Sequence, residues 1–143
     1  MSKGLRIIGI ERFKRRVANL ERRTIRAATD ACVEGAEYIR DVMQNQFLNG
    51  SGTIGRVTGH LRDNWNIRAE LAKATLWTDT IYSHAHEYGF KRVQSVYSKK
   101  HKRWYVRKQN IKPKKFLRGA IKRSRPKLPE IMSARFRRSL FGF

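Results

Sequence analysis

The fold is decided by residues 11–48, which read ERFKRRVANLERRTIRAATDACVEGAEYIRDVMQNQFL. Apolar and small side chains recur here at three- and four-residue intervals, the spacing of one face of an α-helix. This stripe consists of Phe13, Val17, Leu20, Thr24, Ala27, Ala31, Ala36, Ile39, Val42 and Phe47. Proline is absent, and the single glycine, Gly35, predicts a bend or a close helix crossing. At 1.5 Å per residue the helix would exceed about 50 Å, so we expect part of it to lie on another subunit.

The charge of the chain is unevenly distributed. The 143 residues include 33 Lys and Arg against 11 Asp and Glu, a formal net charge of +22. Residues 90–143 hold 19 of these cations and a single acid, Glu130. A surface this basic repels itself unless a polyanion or an acidic protein face lies against it. Two classes of function follow, a nucleic-acid-binding protein or a subunit whose charge is matched by its neighbours.

Length and composition exclude several classes of protein. We expect one domain over residues 1–143, with 40% hydrophobic residues providing enough material for a core. No apolar run approaches the roughly 18 residues that span a bilayer, and the first residues do not resemble a signal peptide. The lone Cys32 excludes an internal disulfide framework and a cysteine-based zinc cluster. We therefore expect no membrane contact and a reducing compartment.

The remaining chain predicts short strands followed by helices. Residues 58–65 predict one helical turn anchored by Leu61 and Trp65. Period-two patterning then predicts strands at 65–71 and 74–80, joined by a turn at Ala72-Lys73, and a second hairpin pairs 92–97 with 103–108. Residues 81–89 fit either a strand or a short helix. Residues 112–143 predict two helices, or one helix broken near 125–129 by prolines.

The predicted fold is therefore α+β. A long N-terminal helix occupies residues 1–49, a small antiparallel β-sheet with a basic hairpin occupies 58–111, and a C-terminal helical region occupies 112–143. We find no internal repeat and no low-complexity tail.

The sequence contains few residues suited to catalysis. His84 and His86 are two apart, as a metal pair on a strand would be, but no third ligand has a recognisable spacing. Cys32 lies beside the apolar face of the helix, which favours a packing role over a nucleophile. No glycine-rich loop joins a strand to a helix to hold phosphate. We therefore predict no catalytic residue, no cofactor and no metal, and a protein that is not an enzyme.

One segment interleaves cations with aromatic rings. Cations neutralise phosphates or carboxylates, and rings stack on bases. The predicted partner-binding or DNA-facing residues are Lys99, Lys100, Lys102, Arg103, Trp104, Tyr105, Arg107 and Lys108. The alternative is an exposed hairpin whose lysines discourage pairing of its edges with other strands.

Three ordered motifs resemble one family. Residues 58–65, TGHLRDNW, resemble a Thr-Gly-x-Leu-Arg-x-Ser motif, and residues 81–89, IYSHAHEYG, resemble Tyr-Ala-x-x-x-Glu-Phe-Gly. Residues 112–120, KPKKFLRGA, resemble Arg-Pro-Phe-Leu-Arg-Pro-Ala before a C-terminal helix. In this order, after a long helix, the set resembles the tail-component or tail-completion neck proteins of lambdoid long-tailed bacteriophages.

The resemblance implies a structural protein of the virion, assembled in the host cytoplasm. Such subunits form a ring, for which we expect six copies, at the head–tail junction or the head-proximal end of the tail. Implied partners are head-closure, tail-terminator or tail-tube proteins, with genomic DNA as a further contact. The alternative function is a small basic nucleic-acid-binding protein.

Three hypotheses follow for particular residues. Arg62 and Glu87 form an ion pair across the small sheet. The loop at residues 50–57, rich in glycine, is ordered only by a neighbour. The basic C-terminal half faces an anionic partner, and we favour acidic protein over DNA because a passage lined with cations would hold the genome back.

Overall fold

The computed structural model describes residues 9–48 and 59–142. These residues form five helices and two separate antiparallel hairpins, which confirms the predicted α+β class. In chain order the elements are α1 (Ile10–Gln46), α2 (Gly59–Asp63), β1 (Asn66–Glu70), β2 (Lys73–Trp77), α3 (Ser83–Tyr88), β3 (Phe90–Ser98), β4 (Arg103–Ile111), α4 (Phe116–Ser124) and α5 (Leu128–Phe141).

The core lies against the C-terminal half of α1. The rings of Trp65 and Phe116 meet edge to face, with centroids 6.0 Å apart, and the Trp65 Nε1–H donates a hydrogen bond of 2.8 Å to the carbonyl of Leu61. The predicted anchors Leu61 and Trp65 are therefore confirmed, since both are buried. The buried cluster comprises Val42, Met43, Leu48, Leu61, Trp65, Phe116 and Ala120.

Helix α5 packs antiparallel against α1. Gly35 is where the two helices approach, because a Cβ there would lie 3.1 Å from the Cγ and Sδ of Met132. Further along, the Ser139 hydroxyl lies 2.6 Å from Asp30 Oδ2. Of the two alternatives predicted at Gly35, a bend or a close crossing, the structure shows the close crossing. This packing holds the C-terminal part of the chain along the middle of α1.

The β1–β2 hairpin also lies on α1. Ile67 pairs with Leu76 on its half-buried face, as the alternation predicted. At the turn, the Ala72 amide donates a 3.0 Å hydrogen bond to Thr29 Oγ1, and Ala72 adopts a left-handed conformation with φ of 51°. The first two-stranded sheet is thus fixed to the helix by both its apolar face and its turn.

The predicted strand ends need correction. β1 ends at Glu70 and β2 begins at Lys73, so the turn consists of Leu71 and Ala72 rather than Ala72 and Lys73. β2 ends at Trp77 instead of residue 80, because the Thr80 amide bonds to Thr78 Oγ1 at 3.2 Å and the backbone turns there.

The structure decides between the alternatives predicted for residues 81–89 and 112–143. Residues 83–88 form the helix α3, and the C-terminal region forms two helices separated at residues 125–127. Pro129 lies in the first turn of α5, where proline is tolerated because its missing N–H would have no helical partner. The second hairpin is longer than predicted, with nine residues in each strand. The loop hypothesis at residues 50–57 and the start of the predicted turn at Thr58 lie outside the described residues.

The packing of the core predicts that two phenylalanines contribute very differently to the free energy of unfolding. Phe116 is 1% exposed and Phe13 is 68% exposed. Phe116→Ala should lower the free energy of unfolding by about 3–5 kcal/mol because it leaves a cavity beside Trp65. Phe13→Ala, the matched control, should change it by less than about 0.5 kcal/mol in dilute solution. Urea unfolding followed by tryptophan fluorescence measures both, and equal losses would contradict this description of the core.

Candidate interaction surfaces

The basic hairpin, residues 90–111, projects from the core and has two exposed faces. Its strands are each about 30 Å long at 3.4 Å per residue. Within the described part of the chain, their extensive contacts are only with each other. A two-stranded hairpin is marginally stable in water by itself. The geometry therefore leaves both faces of this hairpin available to a partner.

The strand register separates the hairpin side chains by chemistry. Tyr97 lies opposite Trp104, with ring centroids 5.4 Å apart, and Val93 and Val106 point to the same side by alternation. We name these four residues the apolar face. They are exposed, and Trp104 is 70% accessible. This side of the hairpin thus presents an aromatic and aliphatic strip to solvent.

The opposite side carries arginines. Arg92, Arg103 and Arg107, with Tyr105 between the last two along β4, form what we name the arginine face. Arg107 lies opposite Gln94, which puts it diagonal to Arg92 at about 7–8 Å. The ion pairs among the described residues include no Lys or Arg of the hairpin. The arginine face is therefore uncompensated positive charge.

The structure places all the predicted site residues on the basic hairpin but distributes them over its turn and its two faces. Lys99, Lys100 and Lys102 occupy the turn. Arg103, Tyr105 and Arg107 belong to the arginine face, whereas Trp104 and Lys108 lie on the other side. The sequence located the segment, but this division was missed, although it follows from strand alternation alone. The available signal was period-two spacing, which places Arg103, Tyr105 and Arg107 on one side of a strand and Trp104, Val106 and Lys108 on the other.

The N-terminal arm, residues 10–26 of α1, is a second uncovered surface. Its apolar stripe contains Ile10, Phe13, Val17 and Leu20, all of them exposed. The same spacing continues into Ala27 and Ala31, which are buried. The stripe therefore runs from the packed part of α1 into solvent, as expected for a helix longer than its own core.

Glu87 has a structural role that differs from the predicted one. It is 4% exposed, and its carboxylate accepts hydrogen bonds from the backbone amides of Leu117 at 2.9 Å and Arg118 at 3.2 Å. The Arg118 Nε lies 4.0 Å away. A carboxylate here satisfies free amides and stabilises the positive end of the α4 dipole. Glu87 thereby joins α3 to α4.

The predicted Arg62–Glu87 pair is wrong. Arg62 lies 3.9 Å from Asp63 Oδ1 in an exposed contact, and its carbonyl accepts a hydrogen bond from Gln44. Glu87 is directed towards α4 because residues 83–88 form a helix and not a strand. The scarcity of acids in the sequence indicated that Glu87 has a specific partner, but it did not identify that partner.

Two histidines of α3 have different surroundings. His84 packs on Tyr88 with centroids 4.6 Å apart, whereas His86 meets Tyr82 edge to face. His86 Nδ1 is buried without a hydrogen-bond partner. Burial, and secondarily the charge of Lys114, lowers the pKa of His86 below its ordinary value. Over residues 9–48 and 59–142, no three His, Cys, Asp or Glu side chains group as metal ligands.

An apolar pocket of about 530 Å³ lies between α3 and the base of the basic hairpin. Ile81, Tyr82, Phe90 and Ile111 line it, and Ile81 is 93% exposed. The sequence analysis did not identify this pocket, because its two sides are brought together only by the packing of α3 beside the hairpin. By the strand register, Phe90 and Ile111 lie on the side of the hairpin that carries Arg92 and Arg107, so the pocket lies at the base of the arginine face.

Comparison with protein-family models, curated proteins and solved structures finds no match to this chain. None of the described helices combines the length and the apolar composition needed to cross a membrane.

Removing the Glu87 carboxylate should destabilise the fold. Glu87→Ala leaves the amides of Leu117 and Arg118 without their acceptor, so we expect a loss of about 2–4 kcal/mol in the free energy of unfolding. Arg62→Ala, which removes an exposed contact, should cost less than about 1 kcal/mol. Thermal or urea denaturation measures both variants. A larger effect for Arg62→Ala than for Glu87→Ala would contradict this account of Glu87.

His86 should make stability depend on pH. Because its folded pKa is lower than its unfolded value, the unfolded chain binds the proton more readily. This contribution is complete above the unfolded pKa of about 6.5 and is lost as pH falls towards the folded pKa. As the pH is lowered from 8 to 5, the free energy of unfolding should therefore fall less for His86→Gln than for the parent protein. His101→Gln, in the exposed turn, is the control, and parallel pH curves for parent and His86→Gln would contradict the prediction.

Proposed function

We propose that the chain is a structural subunit of a bacteriophage neck or tail. It forms an oligomeric ring, with six copies expected, at the head–tail junction or the head-proximal end of the tail. The observation that carries the proposal is that the N-terminal arm and the basic hairpin both project from the core with exposed apolar residues. Such a chain is completed by neighbouring copies.

Covering the N-terminal arm with a neighbouring copy would stabilise the assembly. Burying a side chain such as Phe13, Val17 or Leu20 is worth about 1.5–3 kcal/mol, and all three are exposed in one copy. An uncovered stripe of this kind marks an interaction site. A ring provides each copy with two neighbours, so both projecting elements can be covered at once.

The charge of the hairpin supports a second interface. Residues 90–143 carry 19 cations against Glu130, and bringing six copies together would place these cations close to one another. An acidic face on an adjoining ring of head-closure, tail-terminator or tail-tube proteins would offset this repulsion. We favour such a protein over DNA because a cation-lined passage would retard the genome.

The arginine face favours one alternative, a small basic nucleic-acid-binding protein. Arg92, Arg103 and Arg107 with Tyr105 provide phosphate contacts and a stacking surface. Binding through Z phosphates would make log K fall with log salt at a slope near −0.9Z. A shape-matched protein interface keeps residual affinity at high salt.

Charge reversal in the hairpin tip tests the proposal. Changing Lys99, Lys100, Lys102 and Arg103 to Glu should block the joining of heads to tails, because the adjoining acidic surface would be repelled. Changing Arg12, Arg15, Arg22 and Arg26 to Glu alters the net charge equally. These residues lie on the side of α1 opposite the apolar stripe, so this variant should leave joining intact. Electron microscopy of lysates counts joined particles.

Mass spectrometry of purified virions measures the copy number of this chain, which decides between the two functions. The proposal predicts this chain in a fixed copy number, with six expected. Its absence from virions, together with a monodisperse monomer that binds duplex DNA, would support the alternative. Normal joining with altered DNA retention or ejection would instead assign the tip to the DNA passage.

A further inference from the structure

We propose that the arginine face of the basic hairpin is a docking site for an extended acidic segment of a different protein. The segment adds to a free strand edge, sets its acidic side chains against Arg92, Arg103 and Arg107, and inserts an apolar side chain into the pocket beside Ile81. This inference rests on the proposed function in identifying the partner as a protein of an adjoining ring. It leaves the apolar face of the hairpin free for neighbouring copies.

The strand register gives this side of the hairpin a fixed order of chemistry. Five cross-strand pairs lie on it at intervals of about 7 Å, which is twice the rise per strand residue. From the base of the hairpin to its tip, the pairs are Phe90–Ile111, Arg92–Gln109, Gln94–Arg107, Val96–Tyr105 and Ser98–Arg103. The order is therefore apolar, cationic, cationic, apolar and cationic.

An extended segment reproduces this spacing. Every second side chain of a strand points to the same side, and these side chains are about 7 Å apart. A partner whose alternate residues are apolar, acidic, acidic, apolar and acidic, in either chain direction, would therefore meet each pair with a complementary side chain. Arg92 and Arg107 are both exposed, and neither takes part in an ion pair among the described residues. Both can therefore receive a carboxylate.

The apolar pocket lies at the base of the arginine face, where this order begins. Phe90 and Ile111 form its wall on the hairpin, and Ile81 and Tyr82 form the wall beside α3. Its volume of about 530 Å³ is in the range of pockets that bury a small ligand, so it accommodates a leucine side chain. Ile81 is 93% exposed, and covering such apolar surface stabilises a complex. The pocket thus provides an anchor that charge alone would not.

The outer strand edges of the hairpin provide backbone hydrogen bonds for the segment. β3 and β4 pair only with each other, so within residues 9–48 and 59–142 neither outer edge has a strand beside it. A free edge presents N–H and C=O groups that an extended partner can bond. In β-strand addition those bonds provide affinity, and the contacts of alternate side chains provide specificity. Strands of nine residues accommodate all five facing side chains of the segment.

The segment does not come from a second copy of this chain. The matching order needs two acids two positions apart, and among the 11 Asp and Glu the closest two, Glu34 and Glu37, are three apart. The basic hairpin itself holds eight Lys and Arg and no acid. Pairing two such hairpins edge to edge would set like charges opposite each other, which is destabilising. The charge therefore selects a different, acidic chain.

Single-stranded nucleic acid is the competing ligand for the arginine face. Binding of that kind stacks successive bases on aromatic side chains. On this side of the hairpin, Phe90 and Tyr105 are six register positions apart, about 20 Å, and Arg92 and Arg107 lie between them. Rings this far apart do not form a continuous stacking surface, so the spacing favours the acidic segment.

Binding of synthetic peptides to the full chain tests the proposal. The matched peptide, Leu-Ser-Glu-Ser-Glu-Ser-Val-Ser-Glu, has the required order, and its reversed sequence covers the other strand direction. The control peptide, Leu-Ser-Ser-Glu-Ser-Glu-Val-Glu-Ser, has the same composition but puts its acids on the side opposite its apolar residues. By fluorescence anisotropy, the tighter of the two matched peptides should bind at least about tenfold more tightly than the control. Equal affinities would overturn the proposal.

Paired charge reversals locate the peptide on the hairpin. Arg92→Glu combined with Arg107→Glu should weaken binding of the matched peptide at least about tenfold, because both contacts become repulsive. Lys91→Glu combined with Lys108→Glu alters the net charge equally on the opposite side of the same strands, and it should weaken binding less than about threefold. Equal losses from the two double variants would show attraction by overall charge alone and would overturn the proposal.

The pocket and the strand edge have separate readouts. Ile81→Ser should weaken binding of the matched peptide about three- to tenfold, whereas Leu71→Ser, at another exposed aliphatic side chain, should leave it unchanged. Bound peptide should also slow hydrogen–deuterium exchange in β3 or β4. An unchanged affinity for Ile81→Ser would reject the anchor, and binding without added protection of either strand would reject the edge pairing.

The failures of the two proposals are distinguishable. Virions that contain this chain in fixed copy number, together with equal binding of matched and control peptides, would reject the docking site and leave the neck or tail function in place. Selective binding of the matched peptide by a chain that is absent from virions would retain the site and reject that function. Tighter binding of an oligothymidine than of the matched peptide, lost in the Arg92→Glu and Arg107→Glu double variant, would assign the arginine face to nucleic acid and overturn the proposal.

Discussion

The structure depends on one mismatch, since α1 is longer than the core that covers it. The helix runs for 37 residues, but its buried positions begin only at Ala27. The packing of α5 at Gly35, of the β1–β2 hairpin at Thr29 and of Phe116 near Met43 all occurs on the C-terminal part. The rest of the helix carries an apolar stripe that the other described residues leave exposed, and the proposal that neighbouring copies complete the chain follows from that excess.

A buried hydrogen-bonded contact lies where the basic hairpin is attached to the core. Glu87, buried at the start of α4, joins α3 to the C-terminal helices, and the basic hairpin begins two residues after α3 ends. A buried carboxylate that bonds two amides fixes the direction in which the chain leaves α3. The positions of the arm and the hairpin are thus set by a small, well-packed centre, which is what an assembly subunit requires of its scaffold.

The sequence predicted the parts of this protein that depend on local pattern. Periodicity located α1 and both hairpins, and it left the C-terminal region as two helices or one broken helix. Gly35, a poor helix former, was predicted to mark a bend or a close crossing. The pattern could not identify the partner of Glu87, since the amides of Leu117 and Arg118 are about 30 positions away and amides leave no trace in composition. Alternation divides residues 103–108 between two faces, but the sequence could not show which β3 side chains join each face, because that requires the register that sets Tyr97 opposite Trp104. The pocket beside Ile81 was missed because its walls come from separate elements.

The central claim is that neighbouring copies complete the arm and the hairpin, and hydrogen–deuterium exchange of the full chain at two concentrations tests it most directly. In the dilute monomer, amides of residues 10–24 and of β3 and β4 should exchange quickly, whereas those of residues 27–46 should be protected. At concentrations where the chain assembles, protection should appear in the arm and the hairpin together. Full protection of both elements in the monomer, or protection on assembly confined to other segments, would contradict the account.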